Sequence, residues 1–209
     1  MRLWEAVLAL PLPLHAYLAE AGRPIRYGCR DRAWPLSAYQ TVFALHPGSA
    51  EMPSAGRGFT PELVTTLVSR GVVLAPLVLH TGVSSQERGE PPYPEWYRVS
   101  PTTAALVNGA RQAGRRVIAV GTTSVRALES AADAGGTVQP AAGWTEVVVS
   151  PSRPVRAVDG MITGWHEPAA SHLKLLEAVA GRPLLERSYA AALAHRYRWH
   201  EFGDFHLIL

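Results

Sequence analysis

The run Arg116-Val117-Ile118-Ala119-Val120-Gly121-Thr122-Thr123-Ser124-Val125-Arg126 constrains what this chain can fold into more than any other segment. An apolar, β-branched stretch ends in a glycine, two threonines offer cap hydroxyls, and a helical pattern begins. A strand that turns directly into a helix commits the chain to layered α/β packing, since each element has an apolar face to bury. The same turn presents unpaired backbone N–H groups and the positive end of a helix dipole, which suits a carboxylate or a phosphate. Arg126, one turn into the helix, is placed to add a bidentate clamp. The Gly-x-Gly-x-x-Gly of a dinucleotide fold and the Lys-Ser/Thr of a phosphate loop are both missing, so neither cofactor class is indicated. An ordinary strand-to-helix turn is the plain alternative.

Punctuation elsewhere extends the alternation. A proline-broken entry segment leads to a β-type run at 39–44 and a glycine- and proline-rich loop at 47–58. Thr60 reads as an N-cap with Pro61 at the first helical position, and Gly71 as the stop. Residues 72–80 form an apolar, β-branched run of the kind expected for a strand buried on both faces. After a polar loop at 81–94, Ser100-Pro101 opens a helix that ends near Gly114. A strand at 116–121, a helix at 123–133 and short strands at 145–149 and 161–163 follow. Helices at about 170–179 and 184–194 precede a final strand at 205–209. The expected fold is α/β, a mainly parallel or mixed sheet with flanking helices, in one domain over 1–209.

Composition narrows the function classes. Hydrophobic residues make up 47% and charged residues 18%, enough apolar material for a sizeable core and too little charge for disorder. One cysteine, Cys29, excludes an internal disulfide and a multi-cysteine metal site. No apolar stretch approaches the ~20 residues of a membrane span, and Pro11 and Pro13 break the only early one, so the cytoplasm is expected. The net charge is +3, and Lys174 is the only basic residue that is not arginine. Basic and acidic residues interleave along the chain. This permits an RNA partner without demanding one.

Other familiar constellations fail. There is no Gly-x-Ser-x-Gly elbow, and His195 and His200 have the wrong spacing for two ligands on one helical face. His166 lies in a sharp irregular segment after Thr163-Gly164-Trp165, a better place for a working histidine than a helix interior. Glu95 and Tyr97 follow a proline-rich loop, where a solvated rim is the ordinary reading. Asp204, between Gly203 and the last strand, is equally suited to a turn.

Taken together, these segments resemble the S-adenosylmethionine:tRNA ribosyltransferase-isomerase family. The stretch from Gly114 through Ser130 is similar nearly residue for residue, and other motifs follow in the family's order. They are Tyr39-Gln40-Thr41-Val42-Phe43-Ala44, Pro53-Ser54-Ala55-Gly56 with Phe59-Thr60, Leu79-His80, and Val158-Asp159-Gly160 with Ile162-Thr163. His166 with Pro168, and Tyr197-Arg198 with Gly203-Asp204, complete the series. Departures cluster on one side. The family's Ala-Gly-Leu-His-Phe is here Ala55-Gly56-Arg57-Gly58-Phe59, and its Thr-Phe-Arg element after Leu79-His80 is not recognisable. His-Ser-Glu-x-Tyr is reduced to Pro94-Glu95-Trp96-Tyr97. Gly164 and Ala169 stand where the family has an amide and an ammonium.

The resemblance implies a metal-free transfer and isomerisation of the ribosyl group of S-adenosylmethionine onto a deazaguanine at the tRNA wobble position. Epoxyqueuosine forms, and adenine and methionine leave. It implies catalytic roles for His166, His80 and Glu95, facing one cavity with the turn. It places the co-substrate on Gly121, Thr122, Thr123, Arg126, Tyr39 and Gln40, and the acceptor on Arg57, Tyr97 and Asp204, with Arg57 at the cavity mouth. The chain is shorter than usual members, and an N-terminal portion and a small β-barrel are expected to be absent, with a partner chain as one replacement. Two alternatives stay open: a divergent transferase or lyase on a small nucleoside-like acceptor, and a non-catalytic binding subunit.

Overall fold

Residues 6–25, 34–82, 92–167, 170–199 and 202–209 are described by a computed structural model. Cys29, the loop residues 83–91, and Pro168 and Ala169 lie outside the described residues. The chain divides into two compact units, Met1–Gln40 and Thr41–Leu209.

In the first unit, α1 (Leu14–Ala21) starts directly after Pro13 and buries no residue. A 3-10 turn, Leu36–Tyr39, follows Pro35, and the Gln40 N–H closes it on the Ser37 carbonyl.

The second unit is mixed α/β. Its helices are α2 (Pro61–Ser69), α3 (Pro101–Gln112), α4 (Thr122–Ala131), α5 (His172–Ala180) and α6 (Arg182–Ala194). Its strands are β1 (Val78–His80), β2 (Glu95–Val99), β3 (Ile118–Val120), β4 (Ala141–Thr145), β5 (Gly160–Gly164) and β6 (Phe205–Ile208). Strands β1-β2-β4 form an antiparallel sheet. Strands β3-β5-β6 form a mixed one, in which β3 and β5 run parallel and β6 pairs antiparallel to β5. The β3–β5 ladder is thus the one parallel pair among the described residues. Helix α4 packs against strands of both sheets. Val125, Ala127, Leu128 and Ala131 on it are buried, with Val99, Met161 and Leu176 in the same core. Each such larger aliphatic contributes about 1.5–3 kcal/mol by leaving water.

The capped helices form where threonine and serine announce them. Thr60 Oγ1 accepts the Leu63 N–H at 3.2 Å, and Ser100 Oγ accepts the Thr103 N–H at 3.1 Å. Elsewhere local chemistry overrides propensity. The expected β run at 39–44 is instead the end of a 3-10 turn and a bend, because the Thr41 hydroxyl takes the Phe43 N–H at 3.2 Å. The expected strand at 72–80 shortens to Val78–His80, since Pro76 cannot donate to a ladder. The expected strand at 145–149 lies earlier, at β4; it ends where Thr145 Oγ1 captures the Val147 N–H at 3.1 Å. Strand β2 was not expected, although its inward Tyr97 and Val99 alternate with outward Arg98.

Near the C-terminal sheet, Trp165 is buried with its ring stacked 4.2 Å from that of His206 and edge-on to Tyr189 and Tyr197. Burial lowers the pKa of His206 below its usual 6.5. Between the two values the native state binds fewer protons than the unfolded chain, so stability holds above pH 6.5 and falls as the pH drops through the native value. Urea unfolding from pH 8 to pH 5 is expected to show that loss, and His206→Phe, which keeps the stack, is expected to flatten it. An unchanged acid limb in the variant would assign the titration elsewhere.

Candidate active site

Gly121 governs the strand-to-helix turn. Its backbone sits at φ 94°, ψ 149°, a region that side-chain-bearing residues rarely adopt. A Cβ there would also lie 3.1 Å from Thr123 Oγ1 and 3.7 Å from the Ala55 methyl. The Gly121 N–H donates to the Ile162 carbonyl at 2.8 Å, and its own carbonyl accepts the Ser124 N–H at 3.1 Å. Thr122 and Thr123 occupy the first two helical positions, half-buried, where N–H groups have no acceptor inside the helix. The turn lies at the carboxyl end of the parallel β3–β5 pair, the end at which open α/β sheets bind ligands. The 3-10 turn Ser54–Gly58 closes one side, with Ala55 and Gly56 buried. The Pro53-Ser54-Ala55-Gly56 and Gly121-Thr122-Thr123 motifs, far apart in sequence, therefore meet.

Beyond β5 the chain delivers His166 to the same end. Its Nε2 lies 2.9 Å from Thr163 Oγ1, and its backbone N–H donates to the Tyr189 hydroxyl at 3.2 Å. The His172 ring, at the start of α5, is stacked on it at 4.4 Å with the planes 5° apart. Burial lowers the pKa of His172, and the Arg126 charge lowers it further. This pairing was missed in the sequence, where a spacing of six across a helix start carries no periodic signal.

Arg126 is buried and turned inward. It forms an ion pair with Glu95. It also donates from Nε to the Val147 carbonyl at 3.1 Å, and from one terminal nitrogen to the carbonyls of Tyr93 at 3.1 Å and Thr145 at 3.3 Å. The guanidinium thus ties β4 and the start of β2 to α4. Glu95 is itself part of this tie. Burial raises the pKa of its carboxyl, against the pull of Arg126 and of the Gly82 N–H, with Glu51 adding to the rise.

The remaining expected site residues separate. Tyr97 is a core residue, 7% exposed, because it shares the inward face of β2 with Val99. His80 sits opposite Trp96 in the β1–β2 register, and the two rings stack at 5.5 Å. Trp96 and Glu95 are consecutive on β2 and so point to opposite sheet faces. His80 and Glu95 therefore do not face one cavity. His80 is fixed instead by Ser49, whose hydroxyl lies 3.4 Å from Nδ1. Burial lowers its pKa, helped by His46 and Arg98. Asp204 accepts the Arg198 N–H at 2.7 Å. Arg57 donates to the Gly203 carbonyl at 3.2 Å and lies over the Phe202 and Phe205 rings, bracing the C-terminal segment. Tyr39 and Gln40 belong to the first unit. Among the described residues no three His, Cys, Asp or Glu side chains gather as metal ligands, and no helix is long and apolar enough to cross a membrane.

A family profile described as queuosine biosynthesis protein matches residues 3–208. The chain is 41% identical to an S-adenosylmethionine:tRNA ribosyltransferase-isomerase of Symbiobacterium thermophilum, over 99% of this chain and 59% of that protein. It is 38% identical to the protein of the same name from Moorella thermoacetica, over 99% of this chain and 60% of the relative. The crystal structure of an S-adenosylmethionine tRNA ribosyltransferase from Thermotoga maritima is similar with a TM-score of 0.62 at 36% identity, covering 74% of this chain and 51% of that one. The chain thus spans about 59% of the length of the Symbiobacterium relative.

Proposed function

Because the chain belongs to the queuosine biosynthesis protein family, we propose that it takes S-adenosylmethionine as a ribosyl donor and a cytoplasmic tRNA as acceptor. The observation that carries this reading is the Gly121 turn, with its positive φ, the start of α4 directly after it and Ala55 packed against it. A methionine carboxylate fits the N-terminus of α4, where N–H donors and the helix dipole both favour an anion. His166, at the same end of the β3–β5 pair, is the residue placed to take a proton from the activated ribose. Arg126 acts behind the turn by holding α4 to the antiparallel sheet rather than by touching the ligand. This redistributes the expected roles: turn and histidine for chemistry, arginine and Glu95 for support.

Calorimetric titration with S-adenosylmethionine tests the reading. Binding is expected in buffer with or without a chelator. Gly121→Ala, strained by roughly 1–3 kcal/mol in the bound geometry, is expected to weaken it by about tenfold or more. Absence of binding to the unsubstituted chain, or full affinity in the variant, would count against the turn as the co-substrate site.

A further inference from the structure

We propose that the outward face of the β1-β2-β4 sheet is a stacking platform for an unpaired RNA base, taken on the Trp144 ring with a neighbouring phosphate on Arg98. The inference rests on RNA being the acceptor of the proposed reaction, but the face binds RNA by itself, with or without turnover.

The register of the sheet assembles this face. His80, Trp96 and Trp144 stand opposite one another across the three strands, and Val78, Arg98 and Ala142 form the next row. Trp144 is 71% exposed, the most open aromatic ring among the described residues. It lies on β4, an edge strand, so no further strand walls it in. Ala142 and Gly143 precede it, and a Cβ added to Gly143 would meet nothing within 4 Å. The strand beside the indole is therefore bare. Trp96, by contrast, has its ring stacked on His80 at 5.5 Å. Gly48 packs against His80 so closely that a Cβ there would lie 2.8 Å from the ring. That pair is the fixed part of the face, and Trp144 is its open end.

Charge decides what the open ring receives. Arg98 is exposed, with no hydrogen bond or ion pair among the described residues. It stands diagonally across from Trp144, a separation of about 7–8 Å in a sheet, which one nucleotide can span. His46 and Arg98 both act on His80 as positive charges. No acidic residue stands on the paired strands of this face: Glu95 turns inward to Arg126, and Glu146 lies beyond the end of β4. An exposed aromatic ring beside unopposed cations matches single-stranded RNA, whose bases stack on such rings while its phosphates take the cations. A second copy docked by the same face would set Arg98 and His46 against their own counterparts, since a two-fold contact uses one patch twice. Helix α4, which starts at the Gly121 turn, packs on the opposite face of the sheet. The base on Trp144 is thus a neighbour of the reacting one.

Fluorescence anisotropy of a labelled tRNA anticodon stem-loop, with S-adenosylmethionine absent, measures this face alone. The unsubstituted chain is expected to bind it, and to bind about tenfold more weakly a stem-loop whose loop nucleotides lack their bases. That comparison needs no variant to fold. Trp144→Ala is expected to lose the same factor on the intact loop and nothing on the abasic one, while Trp144→Phe keeps most of the affinity. Arg98→Gln should weaken binding to both and lower the slope of log affinity against log salt by about one. Equal affinity for the two stem-loops, full affinity in Trp144→Ala, or no binding by the unsubstituted chain would overturn the proposal. A dimer seen by sedimentation that Trp144→Ala dissolves would assign the face to a second copy and overturn it too. A chain that binds the stem-loop through Trp144 yet never consumes S-adenosylmethionine would sink the proposed reaction and keep this inference. Consumption of S-adenosylmethionine on tRNA with an unchanged KM for tRNA in Trp144→Ala would do the reverse.

Discussion

Arg126→Ala is expected to destabilise the ligand-free protein by about 3–5 kcal/mol, the usual cost of leaving one member of a buried ion pair without its partner. The change would strand the Glu95 carboxylate beneath the sheet. It would also remove the donors that reach the carbonyls of Tyr93, Thr145 and Val147. Glu95 can lessen the loss by taking up a proton, since burial already biases its carboxyl toward the neutral form. Arg126→Met combined with Glu95→Leu, which removes both charges together, is therefore expected to cost less than Arg126→Ala alone. Urea unfolding without ligand gives both numbers. An Arg126→Ala chain as stable as the unsubstituted one would show that the guanidinium is free for a ligand, as the sequence reading has it.

Under the proposed reaction, His166→Gln is expected to lower turnover of S-adenosylmethionine by roughly 10²–10⁴-fold, the range for losing a positioned general base. Glutamine can still hydrogen-bond to Thr163 and occupy the space under His172, so the fold and the affinity for S-adenosylmethionine should change little. Single-turnover kinetics and calorimetry on the same preparation separate the two quantities. Turnover at the unsubstituted rate would remove His166 from the chemistry and point to another group at the end of the β3–β5 pair.

The parts of the fold legible in the sequence are those decided by neighbours along the chain. The Gly121 turn, the caps at Thr60 and Ser100 and the strand β3 depend on residues within a few positions, and each forms where expected. The strand at 72–80 misleads because its apolar run hides Pro76, a single residue that outweighs the propensity of its neighbours. Strand β2 went unassigned for the opposite reason. It is short and begins directly after Pro94, and its alternation becomes meaningful only once α4 lies beneath it.

The candidate site shows the same division. The turn announces itself in eleven consecutive residues. The direction of Arg126 does not, because a guanidinium one turn into a helix can point outward to a ligand or inward to a carboxylate 31 positions away. That choice is made by the packing of the antiparallel sheet. Tyr97 was legible as polar and aromatic, but its face on β2 was not, and the face decides whether its ring meets a substrate or the core. His172 carried no signal at all, since the ring it stacks on lies six positions away across a helix start, where no periodic pattern links the two.

The most direct test of the proposed reaction is to incubate the chain with S-adenosylmethionine and a tRNA carrying the deazaguanine at the wobble position, then measure free adenine, free methionine and the mass of the modified nucleoside. The predicted result is adenine and methionine released in equal amounts, with a matching ribosyl-derived mass gain on the tRNA. Intact S-adenosylmethionine and an unmodified tRNA, under conditions where calorimetry shows the co-substrate bound, would contradict it.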